Sequence, residues 1–438
     1  EISACLVGSE MCIRDSSWSI FMEIKRDMYL NKLIRHKGNG MVKIITGVRR
    51  CGKSYLLFKL FRDHLIDSGV AQDHIISIAL DDYGNRALQN PDELYNYVKS
   101  RVTADGNYYI LLDEIQMVKD FEGVVNGFLH ITNADIYITG SNSKFLSTDI
   151  LTEFRGRGDE IRVYPLCFSE FYSVYGGEFD KAWLVYCNYG GMPLCLSMQT
   201  QEDKAKYLTN LFETTYLADI INRNNLRGNA EINELTDILA SSIGSLTNPL
   251  KLSNTFASTK NVKLSANTIS AYLDYLQDAF LIEKSVRYDI KGKKYINTPA
   301  KYYFVDLGLR NARLAFRQQE YTHIMENVIY NELRLRGYSV DVGVVDNVEK
   351  ENGVSVRKRF EVDFVVNLGN RRYYIQSAYN IPTDEKMEQE QASLLSINDA
   401  FRKIIIVNQQ ILSGYNEQGI LMLSLQDFLL YPEKSMNL

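Results

Sequence analysis

Proline is scarce in this chain, with 7 among 438 residues, while tyrosine is plentiful at 29. That balance argues against a disordered or low-complexity polypeptide. Cysteine is present but unpatterned: the six residues form no CxxC pair and no His/Cys metal spacing. Scattered thiols of this kind suit a reduced, cytoplasmic protein better than a disulfide framework. No stretch approaches the roughly 20 apolar residues that a membrane span needs, so no membrane partner is expected. The net charge is only −5, which excludes a strong overall field drawing the chain to nucleic acid or anionic lipid. A local basic patch stays open. Internal repeats and low-complexity linkers are lacking too. The first 21 residues, "EISACLVGSEMCIRDSSWSIF", have neither a basic leader nor an apolar centre, so they do not read as a secretory signal. They are expected to be a non-native extension ahead of a natural start at Met22.

At 438 residues the chain is too long for one ordinary core, so two or three domains are expected. Apolar residues at 45% and charged residues at 24% match a globular protein. From 22 to 165, apolar β-prone runs alternate with helical patterns. "VKIITG", "HIISIAL", "YYILLDEI" and "DIYITGS" read as four strands, with "RVYPL" at Arg162 to Leu166 as a fifth. Helices are expected at Ser54 to Asp67, Pro91 to Val102 and Phe121 to Ile131. Such alternation implies an α/β fold, a parallel sheet with flanking helices. Residues 166–230 read as helical, 231–305 as three helices and a β-hairpin, and 306–438 as mixed α/β.

Between the first strand and the first helix stands G-x-x-x-x-G-K-S: Gly47, Val48, Arg49, Arg50, Cys51, Gly52, Lys53, Ser54. Backbone N–H groups of such a loop converge on phosphate oxygens, and glycines let the chain curl. The helix N-terminus, extending through Tyr55, adds positive potential. Lys53 reaches the β and γ phosphates, and the Ser54 hydroxyl ligates Mg²⁺. Cys51, beside Arg49, Arg50 and Lys53, sits where a thiolate would be favoured, although a small residue tolerated in the loop is the commoner case.

The third strand ends in two carboxylates. Asp113 can hold Mg²⁺ and Glu114 can act as general base on an attacking water. In "IYITGSNSKFL", Ser141 and Asn142 would place a polar amide beside the γ-phosphate. "LTEFRGRGDEIRVYPLCFSEFY" supplies Arg155 and Arg157, either of which could stabilise transition-state charge across a subunit interface. An arginine acting in trans requires at least a dimer, so a homo-oligomer is in view.

As a set these residues resemble the bacterial and archaeal AAA-type P-loop ATPases, whose loop reads GxRRxGKS. In that family DEIQ follows the acidic strand, TGS marks the sensor, and a GR-containing stretch leads into PLSFxEF. The counterpart here is "GRGDEIRVYPLCFSEF". The resemblance extends from Met22 to about Asn408. It implies ATP rather than GTP, and no NKxD-like guanine-reading tetrapeptide is evident. Carried over by position, Lys53, Ser54, Asp113, Glu114, Asn142 and Arg157 take the roles just given.

In residues 231–305, Ser265 or Asn267 caps a helix striped by Ile269, Tyr272, Leu273, Leu276 and Phe280. A hairpin turning at "DIKGKK" follows, in a winged-helix rhythm. The related ATPases carry a winged helix at this place. Residues 250–302 hold nine Lys or Arg against four Asp or Glu, a charge that could meet a few DNA phosphates. In residues 306–438, Glu326, Asp363 and the triplet Gln376–Ser377–Ala378 fall where a PD-(D/E)xK nuclease has its helix glutamate, strand aspartate and (D/E)-x-K. Gln376 replaces the acid and Ala378 the lysine, so an inactive nuclease-like domain is expected. The functional expectation is an ATPase that hydrolyses ATP with Mg²⁺ as a conformational switch or motor, with DNA as a candidate object. The alternative is a nucleic-acid-binding regulator or defence component in which ATP only sets conformation.

Overall fold

The structure, a computed structural model, describes residues 23–103, 105–140, 154, 156–226, 230–260, 263–317, 320–351 and 354–435. The expected extension 1–21, with Ser141, Asn142 and Arg155, lies outside the described residues. The chain divides into two units. One runs up to Pro165 and includes Met192–Ser197; the other comprises Leu166–Gly191 and Met198–Leu438.

The first unit opens with α1 (Asp27–Arg35) and is built on a sheet of β1 (Val42–Gly47), β2 (Ile75–Ala79), β3 (Tyr108–Asp113), β4 (Ala134–Thr139) and β5 (Gly158–Val163). The strand order is β2-β3-β4-β1-β5, and every pairing is parallel. β1 and β3 are buried along their whole length, as strands covered on both faces must be. On one face Val42, Ile44, Ile110, Leu112, Ile136 and Ile138 meet α3 (Pro91–Arg101) and α4 (Phe121–Phe128) through Leu94, Val98, Val125 and Phe128. On the other, Phe61 of helix α2 (53–67) lies 4.6 Å from the ring of Tyr137. The middle of α2, Leu56–Phe61, is π-wound.

Four of the five strands lie where the apolar runs placed them. The fifth lies earlier than "RVYPL": β5 pairs with β1 from Gly158 opposite Val42 to Val163 opposite Gly47. Sequence alone favoured the apolar end of this stretch. The backbone bonds of β1 recruit the polar residues Gly158 to Glu160 as well, and Pro165, with no N–H to donate, ends the strand's reach.

The second unit begins with α5 (Phe168–Tyr175), α6 (Phe179–Tyr189) and the long helix α7 (201–223), π-wound at Leu211–Leu217. Then come α8 (Ala230–Ser241), α9 (Pro249–Lys260), α10 (Ala266–Asp278) and a hairpin of β6 (Ile282–Asp289) and β7 (Lys294–Phe304). Ser265, not Asn267, caps α10: its hydroxyl accepts from the Thr268 N–H at 3.0 Å. Ile269, Leu273, Leu276 and Phe280 are buried, and Tyr272 is half-buried.

α11 (Leu307–Arg313) and α12 (Tyr321–Leu335) lead into β8 (Ser339–Glu351), β9 (Val354–Leu368), β10 (Arg371–Ala378), α13 (Asp384–Leu395), β11 (Arg402–Val407), β12 (Gly414–Tyr415) and β13 (Leu421–Ser424). These strands and the hairpin form one eight-stranded mixed sheet, ordered β12-β13-β11-β10-β9-β8-β6-β7. β6 pairs in parallel with β8, so the hairpin is bonded into the C-terminal sheet.

The phosphate loop starts where β1 and β5 stop. Gly47 has φ +139°, and a Cβ there would stand 2.0 Å from the Val163 carbonyl oxygen. Gly47→Ala is expected to lower stability by at least about 2 kcal/mol. The measurement is the urea midpoint of both proteins; an unchanged midpoint would refute the packing argument.

Candidate functional site

β1 delivers the chain to Gly47, and the loop from Gly47 to Gly52 reverses it into α2. Arg50 at φ 63° and Gly52 at φ 97° take left-handed backbone to make that reversal. The turn closes with Cys51 N–H donating to the Val48 carbonyl at 3.3 Å, and α2 engages with Leu56 N–H donating to Gly52 at 2.9 Å. Lys53 is 5% exposed. Its Nζ donates to the carbonyls of Gly47 and Val48, at 3.2 and 3.0 Å. The ammonium is therefore clipped to the loop's own backbone, inside the curl that the sequence pattern called for.

The loop is also held from behind. Arg26, 2% exposed, donates from Nη1 to the Cys51 carbonyl at 3.0 Å and from Nη2 to the Tyr164 carbonyl at 2.7 Å. The Tyr29 hydroxyl accepts from Tyr164 N–H at 2.9 Å, and the Arg26 guanidinium lies 4.6 Å from the Tyr29 ring centroid. The Cys51 thiol is buried, 3.5 Å from the Val163 carbonyl, so it packs against β5 rather than presenting a thiolate. Arg50 is exposed, and Val48 is buried. Tyr55 is half-buried, its phenol raised above the ordinary tyrosine value by burial and by Glu23.

Asp113 closes β3 and is 4% exposed. Burial pushes its carboxyl up to about 6, against hydrogen bonds from Thr139 and Ser54 that favour the charged form. Thr139, the last residue of β4, donates its hydroxyl to Asp113 Oδ1 and accepts the Glu114 N–H at 3.1 Å. Glu114 takes left-handed backbone, φ 52° and ψ 46°. Gln116 Nε2 donates to Glu114 Oε2. Asp81, just past β2, is lifted above the usual carboxylate range by burial and then by the charge of Glu114; Arg49 opposes that lift.

The structure thus brings together Lys53, Ser54, Asp113 and Glu114 at the C-terminal ends of β1 and β3, where open parallel sheets bind ligands. Arg157 stands elsewhere. Its carbonyl accepts from Val42 N–H at 2.8 Å, at the opposite end of β1. Five residue steps of strand, about 16 Å, separate it from Gly47. Sequence reading missed Arg26, Asp81 and Thr139. Only Thr139, inside "ITGS", carried a local signal. A buried acid with a serine hydroxyl on it, beside a clipped ammonium, is a donor set that fits Mg²⁺ and a polyphosphate.

Among the described residues no helix is long and apolar enough to cross a membrane. A family model described as "AAA domain" matches residues 39–172, and one described as a domain of unknown function matches 180–320. An uncharacterized protein of Haemophilus influenzae is 35% identical over 417 residues, covering 93% of this chain and 98% of its own. An uncharacterized protein of Methanocaldococcus jannaschii is 31% identical over 421 residues, covering 92% of this chain and 88% of its own. Among solved structures, the Orc1 protein of Aeropyrum pernix in complex with DNA aligns with a TM-score of 0.32 at 12% identity, over 67% of this chain and 94% of that one, a likeness too low to bear on function. The chain belongs, over nearly its whole length, to one family of AAA-domain proteins with these bacterial and archaeal relatives.

Proposed function

We propose that this protein binds ATP with Mg²⁺ and hydrolyses it, as a switch or motor. The observation that carries the reading is the Lys53 ammonium, buried and held by the carbonyls of Gly47 and Val48, beside the Ser54–Asp113–Thr139 chain. The loop N–H groups and the start of α2 hold the phosphates, and Lys53 leaves its carbonyls to meet them. Ser54 and Asp113 would hold a magnesium ion, which would neutralise phosphate charge. Glu114, fixed by Thr139 and Gln116, takes the proton of the attacking water. Arg157 lies too far along β1 to serve its own loop. Its role, if an arginine completes the site, is toward a neighbouring copy in a homo-oligomer.

The exposed lysines at the hairpin turn, Lys291, Lys293 and Lys294, favour a second reading in which the winged-helix-like segment 231–305 contacts DNA. In that reading ATP sets the conformation that presents the hairpin. The same assignment makes 306–438 a nuclease-like scaffold.

Two substitutions test the ATPase reading. Lys53→Ala is expected to weaken ATP binding by about 10–100-fold. Glu114→Gln should keep binding and lose about 10²–10⁴-fold in turnover. Phosphate release and calorimetry check both, and full turnover in Glu114→Gln sinks the base assignment.

Asp113 gives a pH signature. A carboxyl raised from 3.8 to about 6 on folding binds more protons folded than unfolded in that window. Its contribution favours the ligand-free fold at low pH and is lost as pH rises through about 6. Asp113→Asn should therefore raise ligand-free stability at pH 7, by at most about 3 kcal/mol. The gain should shrink toward pH 4 as turnover disappears at every pH. Urea denaturation at the two pH values reads it, and a pH-independent difference contradicts it.

For DNA, charge reversal at Lys291, Lys293 and Lys294 should flatten the log–log salt slope of binding by about 3. A slope unchanged by these substitutions removes the second reading.

A further inference from the structure

The lysine that Ala378 fails to supply enters the C-terminal module from a different strand. Lys301 lies on β7, in "TPAKYYF", and is 3% exposed. Its Nζ stands 2.8 Å from Glu326 Oε1 on α12, 2.8 Å from Glu361 Oε1 and 3.8 Å from Asp363 Oδ1 on β9. Three carboxylates thus surround a group with three protons to give. Ala378, by contrast, packs with Leu394 and Ile397, and Gln376 Oε1 faces the Ser393 hydroxyl at 3.4 Å. Gln376 Oε1 also accepts from the Asp363 N–H at 3.4 Å, and neither residue brings a cation to the acids.

We propose that the Lys301 ammonium is the resident cation of this module, standing where a divalent ion would otherwise bridge Glu326, Glu361 and Asp363. The carboxylate oxygens are already engaged. Glu326 Oε1 accepts from the Tyr303 hydroxyl at 2.6 Å as well as from Lys301, and Glu326 Oε2 faces His323 Nδ1 at 3.7 Å. Asp363 Oδ2 accepts the Ser377 N–H at 2.8 Å. The oxygens stand at ammonium distance, whereas Mg²⁺ draws its ligands to about 2.1 Å. Consistent with that spread, the described residues contain no group of three His, Cys, Asp or Glu close enough to hold a metal ion. Burial and the charge of Glu326 raise the Asp363 carboxyl above its ordinary value against the pull of Lys301, and the Glu361 side chain, 39% exposed, opens the cluster to solvent. Burial opposes the charge on Lys301, yet Glu326, Asp363 and Glu361 outweigh it and hold the ammonium above lysine's ordinary value. The module keeps its acids together without metal, and with its cation position filled it does not cleave phosphodiesters. Removing the ammonium leaves a hollow lined by acids that a divalent ion can enter.

The test is Mn²⁺ binding, read by electron paramagnetic resonance on the full-length chain. Comparing wild type with Lys301→Ala cancels any metal held by Ser54 and Asp113. Wild-type binding should be indifferent to Asp363→Asn. Lys301→Ala should gain one site at least tenfold tighter than any wild-type site in the module, and lose it in combination with Asp363→Asn. If Lys301→Ala folds poorly, melting followed by circular dichroism decides. Mg²⁺ should raise its midpoint by more than it raises that of wild type, and the excess should vanish in combination with Asp363→Asn. The proposal is overturned by wild-type Mn²⁺ binding that Asp363→Asn abolishes. It is equally overturned by a gained site that survives Asp363→Asn, or by a Lys301→Ala protein that neither gains metal nor is stabilised by it.

Discussion

The close approach of the Val163 carbonyl to the α-carbon of Gly47 is the contact on which the nucleotide-type site rests. It fixes where β1 ends and where the loop must begin to curl. The same β5 edge receives the Cys51 thiol, and the residue after it, Tyr164, shares Arg26 with the Cys51 carbonyl. Loop, edge strand and N-terminal segment are thereby tied by backbone carbonyls rather than by side-chain packing alone. Such contacts tolerate little displacement, which is what a cradle of N–H donors needs.

Among the described residues three lysines are almost wholly buried, and each is accommodated differently. Lys43 on β1 pairs with Asp135 of β4 inside the sheet. Lys53 donates to the backbone carbonyls of Gly47 and Val48, partners that a phosphate can displace. Lys301 is surrounded by acids and has no reason to leave. The difference in partners separates a mobile cation, suited to binding, from two fixed ones that hold structure together.

The loop and the acidic strand end were legible because their chemistry is local. Glycines that reverse a chain, a lysine after them and carboxylates closing an apolar strand are all read within a few residues. β5 was misplaced because its polar half is a strand only by virtue of its pairing with β1. Arg26 was invisible: its partners lie 25 and 138 residues away, and nothing in "EIKRDMYL" marks it. Lys301 was counted among the basic residues of a hairpin, and only the sheet, which bonds β6 to β8, shows that it points into an acid cluster. Asn142 and Arg155 lie outside the described residues.

Thr139 serves two acids with one oxygen. It gives its proton to Asp113 and receives the amide proton of Glu114. The carboxylate that would face the metal and the one that would face water are thus hinged on the same atom at the tip of β4. A slide of that strand would loosen both bonds together, so the positions of the two carboxylates are coupled through a single latch.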